Sequence, residues 1–550
     1  MTGNIMQNRE NLDEPQSTPS TGSIELDISN TEEHTPELLT FPLAFKKVVP
    51  LGSSFLLSRS AIAIYFLGNG FVFAALGENA AAAGPYITTI STAVNGIPRG
   101  ILRATAIQVA AAAGEGKPHL IGNINRAGIV LAVLMSVPMW VLLLNSGRIL
   151  ISLGVDPEVA NEVDQFNIGA SPGVLFNLWF SNDLSTAGGM QKKETLLIGG
   201  FTYIGFSMLV GYPLGLLTNL KMLGMGIGLS AGSFISAGIV RGYLWSQSDV
   251  RKFLDYGKWN AKEIVTGIKK TLWMGWAMGF QNFAEWSDLL GRSVVGGIIG
   301  ERDSLAIEAS LIFVAIQATM QMAVGQATMI TIAHAKGVMK KHLEEGQTRA
   351  AQIELCNMKR CTQANLLFGL CIASLMFILL VSAKDPIIKT FTDESESDPE
   401  LKKLTENMLI TNAASFFPDA FRIIASSMLQ GVKDLFFPPA ASFTCMTLIS
   451  LPVSAVLSLK EGASANFLFI FRIIGIMMAN VLVTMRCVSK YKELKHSTTL
   501  PSLMVEGVEV TSSPQSALQQ PPKTSAGLLG RFGFLNGKGG ASETRQVTPR

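Results

Sequence analysis

Residues 67–114 can be laid on residues 290–337 at one constant offset, with no gap. Gly68 falls on Gly291, Gly77-Glu78 on Gly300-Glu301, Ala104-Thr105 on Ala327-Thr328, Ala110 on Ala333 and Gly114 on Gly337, each 223 positions further on. A repeat this long means that one structural unit is built twice. Both copies are strongly apolar, so the unit is a bundle of membrane helices and the chain carries two homologous halves.

Charged residues make up 15% of the chain and hydrophobic ones 48%. Soluble domains carry about a quarter charged residues. Apolar runs long enough to cross a bilayer recur twelve times. Six fall at about 50–76, 80–111, 122–145, 163–187, 195–218 and 222–245, and six at about 272–299, 303–333, 362–383, 406–430, 436–459 and 463–486. The pattern predicts an all-α, polytopic membrane protein with twelve transmembrane helices in two homologous six-helix bundles. The first bundle is expected over 45–245 and the second over 271–490, joined by a linker over 246–270. Tails over 1–44 and 491–550, rich in Pro, Ser, Thr or Gly, bury too little apolar surface to fold alone and read as disordered.

Loop charge orients the bundle. The 246–270 linker holds Arg251, Lys252, Lys258, Lys262, Lys269 and Lys270, and the 334–361 loop is also basic, with Lys336, Lys340, Lys341, Arg349, Lys359 and Arg360. Alternate loops are acidic, through Asp156, Glu158, Glu162 and Asp164 and again through Asp393, Glu394, Glu396, Asp398 and Glu400. The positive-inside rule puts both termini and the linker in the cytoplasm. The expected location is a plasma (inner) membrane, with the chain a monomer. No cleavable leader is visible at the polar, acidic N-terminus.

Several motif matches carry no chemistry. Gly228-Leu-Ser-Ala-Gly232 fits G-x-S-x-G, but that elbow needs a strand-to-helix turn and here it lies in a membrane span. Gly224, Gly228 and Gly232 instead mark a small face for close helix approach. Gly114-Glu-Gly-Lys117 lacks the leading Gly and the Ser/Thr of a phosphate loop. Cys371 and Cys445 lie in apolar runs and read as reduced packing residues. No zinc-ligand spacing occurs. Neither an enzyme nor a nucleic-acid partner is expected.

Ionisable residues inside spans are costly and mark function by default. Glu285, Asp288 and Arg292 share one face of the seventh span. Glu285 is read as a carboxylate that binds a proton or Na⁺, and Asp288–Arg292 as a structural pair. In the tenth span Asp419 follows Pro418, which removes a backbone donor and can bare carbonyls for a cation; the competing reading pairs Asp419 with Arg422. Asp183 and Asn182 form a further pair of candidates in the fourth span. Asn69, Asn177 and Gln321, with Asp183 and Asp288, are the expected lining of a substrate cavity, although helix–helix hydrogen bonding is the commoner role of such amides.

At these residues the chain resembles the multidrug and toxic compound extrusion (MATE) family, over roughly residues 45–490. Four pieces carry the resemblance: Leu76-Gly77 before the Ala-rich run; Ala111-Ala-Ala-Gly114; Glu285 fifteen residues before Gly300; and Pro418-Asp419 followed by Leu429-Gln-Gly431-Val-Lys433-Asp434. The resemblance implies alternating access, Na⁺ or H⁺ as coupling ion with no other cofactor, and a cation site at Glu285 and Asp419. It also implies export of amphiphilic, cationic small molecules. The family's first helix usually carries an Asp eight residues before the Gly that is Gly77 here; this chain has Asn69, which moves coupling to the second bundle. Two alternatives remain. One is a lipid-linked oligosaccharide flippase of related fold, which Arg59, Arg99, Arg103 and Arg292 would suit. The other is a non-transporting membrane protein that binds partners through its tails.

Overall fold

The computed structural model describes residues 37–152, 154–255, 261–391, 399–460 and 464–505. The first half holds α1 (Phe41–Leu76), α2 (Glu78–Gly114), α3 (His119–Leu143), α4 (Ser146–Ser152), α5 (Pro157–Ala170), α6 (Gly173–Gly189), α7 (Lys193–Leu217) and α8 (Lys221–Ser246). After α9 (Ser248–Asp255), the second half holds α10 (Ala261–Ile299), α11 (Glu301–Glu344), α12 (Thr348–Ser382), α13 (Lys384–Phe391), α14 (Pro399–Gly431), α15 (Phe437–Ser442), a π-helical segment Phe443–Ser450, α16 (Leu451–Ser458) and α17 (Phe467–Val505). No strand occurs among the described residues. With α5–α6 counted as one broken span and α15–α16 as another, twelve spans appear where the apolar runs predict them.

Large apolar side chains on the perimeter, such as Phe71, Leu217 and Trp273, are exposed, as expected where lipid is the solvent. Seven helical segments meet a length-and-hydropathy criterion for membrane spans. Helices α2, α10 and α14 are not among them, and these three carry most of the buried charges described below.

The fourth span breaks at Ser171-Pro172. Ser230 donates to the Gly169 carbonyl (2.7 Å) and accepts from Gly173 N (2.9 Å), and Trp140 donates to the Ser171 carbonyl (2.7 Å). The break therefore leaves few backbone groups without partners in lipid. Gly224, Gly228 and Gly232 lie against Leu214, Gly211 and Ser207 of α7, the close approach their spacing predicts.

The two halves mirror each other. Helix α2 packs on α10 and α1 on α11, while α1 also packs on α12 and α3 on α10. Exchanging α1, α2 and α3 for α10, α11 and α12 returns the same set of contacts, as a two-fold relation requires. Gly77 and Gly300, one repeat length apart, both take positive φ (125° and 157°) at the sharp turn between the first two helices of each half, a conformation that favours glycine. The crossing of α2 and α11 is mirrored atom for atom. A methyl group on Gly114 would run into the His334 carbonyl and lie 3.0 Å from Val338 N. A methyl group on Gly337 would run into the Ala111 carbonyl and lie 3.0 Å from Glu115 N.

This crossing seals one end of the molecule. A core cluster that mixes both halves, through Phe55, Ile107, Ala110, Met278, Ala327 and Ile330, occupies the side toward Gly114 and Gly337. Toward Gly77 and Gly300 the clusters stay within one half: Val72, Phe73 and Ala83 pack with Phe166, and Ala306 and Ile307 pack with Phe469. At the sealed end Lys340 Nζ meets Glu115 (3.0 Å) and Lys117 Nζ meets Glu115 (3.1 Å) and Glu344 (3.5 Å). Lys117 and Lys340 are themselves repeat mates.

The linker and tail boundaries differ from the sequence expectation. Helix α9 and the start of α10 lie within 246–270, because Val250 and Leu254 of α9 join a buried cluster of the first half. Helix α17 runs on to Val505, well into the expected tail, because Tyr491 and Leu494 still pack on the second-half core. The N-terminal boundary moves too: α1 starts at Phe41, and Leu39 N donates to Asn357 Oδ1 (2.9 Å). The remainder of both expected tails, 1–36 and 506–550, lies outside the described residues.

Two outcomes test the seal. Gly114→Ala and Gly337→Ala should each destabilise it by about 1–3 kcal/mol, since only backbone could yield, and by similar amounts because the sites are mirrored. Gly70→Ala, where an added methyl meets nothing within 4 Å, should not. Thermal unfolding, with thiol labelling of an Ile107→Cys probe in a background lacking the native cysteines, reads both. The ionic contacts give a pH signature. Burial pushes the Glu115 carboxyl up, but hydrogen bonds from Lys340 and Lys117 outweigh it and hold it below its ordinary range. The contribution of Glu115 to the seal is therefore complete above the ordinary Glu range and lost as pH falls through the lowered value. Glu115→Gln should speed labelling of the same probe about two- to fivefold at neutral pH, the scale of exposed ion pairs. Equal labelling rates would remove the ionic contribution.

Candidate functional site

The second half holds a buried network of three arginines and three carboxylates. Arg422 on α14 sits between two acids: Nε donates to Asp419 Oδ1 (2.8 Å), and Nη1 donates to Glu285 Oε1 on α10 (3.1 Å) and to Ser442 Oγ (3.2 Å). One turn along α10, Arg292 Nη2 donates to Asp288 Oδ1 (2.7 Å) and Ser450 Oγ (3.3 Å), and Nη1 to the Leu468 carbonyl. Arg472 on α17 approaches Asp288 Oδ2 (3.6 Å) and donates to Ser415 Oγ (2.8 Å). The formal charges cancel, so burial of the six ions is compensated by pairing.

The network is not fully satisfied. Glu285 Oε2 and Asp419 Oδ2 are buried with no hydrogen-bond partner among the described residues. Glu285 lines a cavity of about 30 Å³ between the halves, together with Arg103, Gln281, Asn282, Gln326 and Gln430; that volume suits about one water. Gln281 donates to Glu285 Oε1 (3.1 Å) and accepts from Gln430.

Helix α14 is continuous through Pro418, and the Pro418 carbonyl accepts from Asn480 (2.7 Å). The local opening that the sequence offers as a source of cation-ligating carbonyls is thus absent from α14.

The other sequence-predicted residues lie apart from this cavity. Asp288 is paired as above. Asp183 on α6 meets Arg241 (2.9 Å) and Asn125 (3.2 Å), in a cluster that ties α3, α6 and α8. Asn182, beside it, donates to the Asn125 carbonyl (3.2 Å). Asn177 accepts from Arg99 (2.6 Å) and donates to Tyr203 (3.0 Å) and Ser233 (3.4 Å). Gln321 donates to the Gly369 carbonyl (2.9 Å), bridging α11 to α12. Asn69 is buried in α1, and its Oδ1 has no partner among the described residues. Sequence reading missed Arg472, Gln281, Asn282 and Gln430. An arginine inside the apolar start of α17 is itself a signal; the amides have none.

A polytopic protein of two mirrored halves, sealed at one end and holding buried ion pairs within its helices, has the construction of a transporter. Comparison with known proteins agrees. The MatE family model matches residues 55–217 and 278–456, two stretches that begin one repeat length apart, and the chain belongs to the MATE family of transporters. The structure is similar to that of the eukaryotic MATE transporter AtDTX14, with 14% identity and a TM-score of 0.72 over 83% of this chain and 99% of that one. It is also similar to a multidrug resistance MATE transporter of the MOP superfamily solved in an outward-facing conformation (14% identity, TM-score 0.70, 82% and 97% covered). A third neighbour is a MOP superfamily transporter from Pyrococcus furiosus, described as having a binding pocket of reversed polarity (14%, 0.69, 82% and 97%). At such identities the likeness shows the fold alone.

The Asp183–Arg241 pair has a structural signature that can be measured. Arg241→Met should cost about 3–5 kcal/mol by stranding a buried carboxylate. Adding Asp183→Leu should recover most of that loss in a thermal or denaturant unfolding series. A double variant no more stable than Arg241→Met would mean that Asp183 serves something other than this pair.

Proposed function

We propose that this chain is an H⁺-coupled exporter of amphiphilic small molecules, working by alternating access with Glu285 as the exchanging group. One observation carries the reading: a buried carboxylate oxygen of Glu285, with no partner among the described residues, belongs to a side chain that lines the cavity between the halves. Its other oxygen holds Arg422. A proton added at Oε2 would neutralise Glu285 and weaken its hold on Arg422, leaving the guanidinium to Asp419. The tie between α10 and α14 would then loosen, and α10 is the helix that packs on α2 of the other half. Protonation would thereby favour one arrangement of the halves by its differential affinity.

Protons suit this geometry better than Na⁺. A metal ion between Glu285 and Asp419 would have to displace Arg422, whereas a proton needs only the unoccupied oxygen. The cationic substrate implied by the family resemblance loses its main support for the same reason, because the charge of Glu285 is already matched. With both termini in the cytoplasm, as the basic loops favour, the sealed end is cytoplasmic and the arrangement is outward-facing.

Flux into proteoliposomes tests the coupling. Glu285→Gln should abolish transport driven by a pH gradient while leaving the melting temperature within a few degrees of wild type. Asp419→Asn should weaken coupling by releasing Arg422, and Asn69→Ala should leave the ion dependence unchanged. Full pH-driven transport by Glu285→Gln, or flux driven by a Na⁺ gradient alone, would overturn the reading.

A further inference from the structure

We infer that Arg59, Arg99 and Arg103 form an anion site at mid-membrane, and that the transported molecule is an amphiphile with a phosphate, sulfate or carboxylate head. This names the substrate class and rests on the transporter reading above.

The three arginines stand near the middle of their helices, Arg59 on α1 and Arg99 and Arg103 one turn apart on α2. Each is partly exposed rather than packed away. Arg103 lines the cavity and donates to Asn282 Oδ1 (3.3 Å). Arg99 spends Nε and Nη2 on the neutral Asn177 Oδ1 (3.1 and 2.6 Å). Arg59 belongs to α1, which packs on α2.

The repeat relates Arg59 and Arg99 to cavity-lining positions of the second half. One repeat length on from Arg59, Arg99 and Arg103 stand Asn282, Met322 and Gln326. All three of these line the cavity from the second half. Arg103 is thus the first half's share of this lining, and Arg59 and Arg99 occupy the first-half positions that correspond to Asn282 and Met322 of it.

Their charge is not matched. Among the described residues none of the three makes an ion pair. The arginines of the second-half network, and Arg241, each have a carboxylate. Glu285 is the nearby acid, and it is committed to Arg422. An unpaired charge at this depth is expensive, and three together more so. An arriving anion would relieve that cost, and guanidinium forks suit phosphate and carboxylate oxygens. A quaternary ammonium would add a fourth positive charge.

Equilibrium binding to the purified full-length chain in a zwitterionic detergent tests this with no ion gradient present. The probes are a fluorescent long-chain alkyl phosphate, an alkyl trimethylammonium of equal chain length, inorganic phosphate and a polyprenyl phosphate. The alkyl phosphate should bind at least tenfold tighter than the ammonium, and more weakly as salt rises. Arg59→Gln, Arg99→Gln and Arg103→Gln should each weaken it about tenfold or more, as expected for loss of a charge-assisted hydrogen bond. The lysine variants should retain most of the affinity, which separates charge from misfolding. Arg486→Gln, at a pair with Asp434 near the basic end of the bundle, should change nothing. Preference for the polyprenyl over the alkyl chain would mark a lipid-linked substrate; equal affinity would mark a soluble organic anion. Competition by inorganic phosphate would confirm that the head is what is read. Tighter binding of the ammonium, or unchanged phosphate binding in a folded triple Gln variant, would overturn the inference. Glu285→Gln should keep or strengthen phosphate binding, so loss of pH coupling in that variant with binding intact would concern Glu285 alone.

Discussion

The close crossing of α2 and α11 is the contact on which the arrangement of the halves depends. At Gly114 and Gly337 each backbone lies where the other's first side-chain carbon would be, so two long helices meet with no side chains between them. The mixed apolar core can form only because the helices come this near. Beyond that core the halves keep separate interiors, and the polar residues of the middle lie where the shared core gives way to the separate ones.

The backbone obeys the repeat and the charges do not. Asn69 of the first half corresponds to Arg292 of the second, and Arg59 corresponds to Asn282. One half therefore carries a charge-balanced set of ion pairs, and the other sets Arg103 on the cavity. The duplicated scaffold thus carries different chemistry in its two halves.

Much of the fold was legible in the sequence because membrane helices are written in long apolar runs and the repeat fixed their pairing. The pairing of Gly77 with Gly300 and the glycine face of α8 could be read directly. The break in the fourth span was harder, since its neighbours Trp140 and Ser230 are distant in sequence. The site was legible only in part. In-span carboxylates announce themselves, but their partners do not: Arg422 shows as a neighbour of Asp419 at i, i+3, while its second bond to Glu285 spans 137 positions. For the amides Asn177 and Gln321 helix ties were the commoner expectation beside cavity lining, and their partners bear that role out. The unpaired state of Arg59, Arg99 and Arg103 is a property of what surrounds them, which no spacing reveals.

The joint at Ser171-Pro172 shapes how the fourth span can respond to strain. Its interrupted backbone is held by one hydroxyl that both gives and takes a hydrogen bond, and by an indole from α3. Ser230 belongs to α8, so the two segments of the span are articulated through a neighbouring helix rather than through their own amides. Bending there need not bare a peptide group to hydrocarbon as long as α8 travels with it. The first half thus possesses a lubricated elbow, one whose lubricant is a side chain and not water.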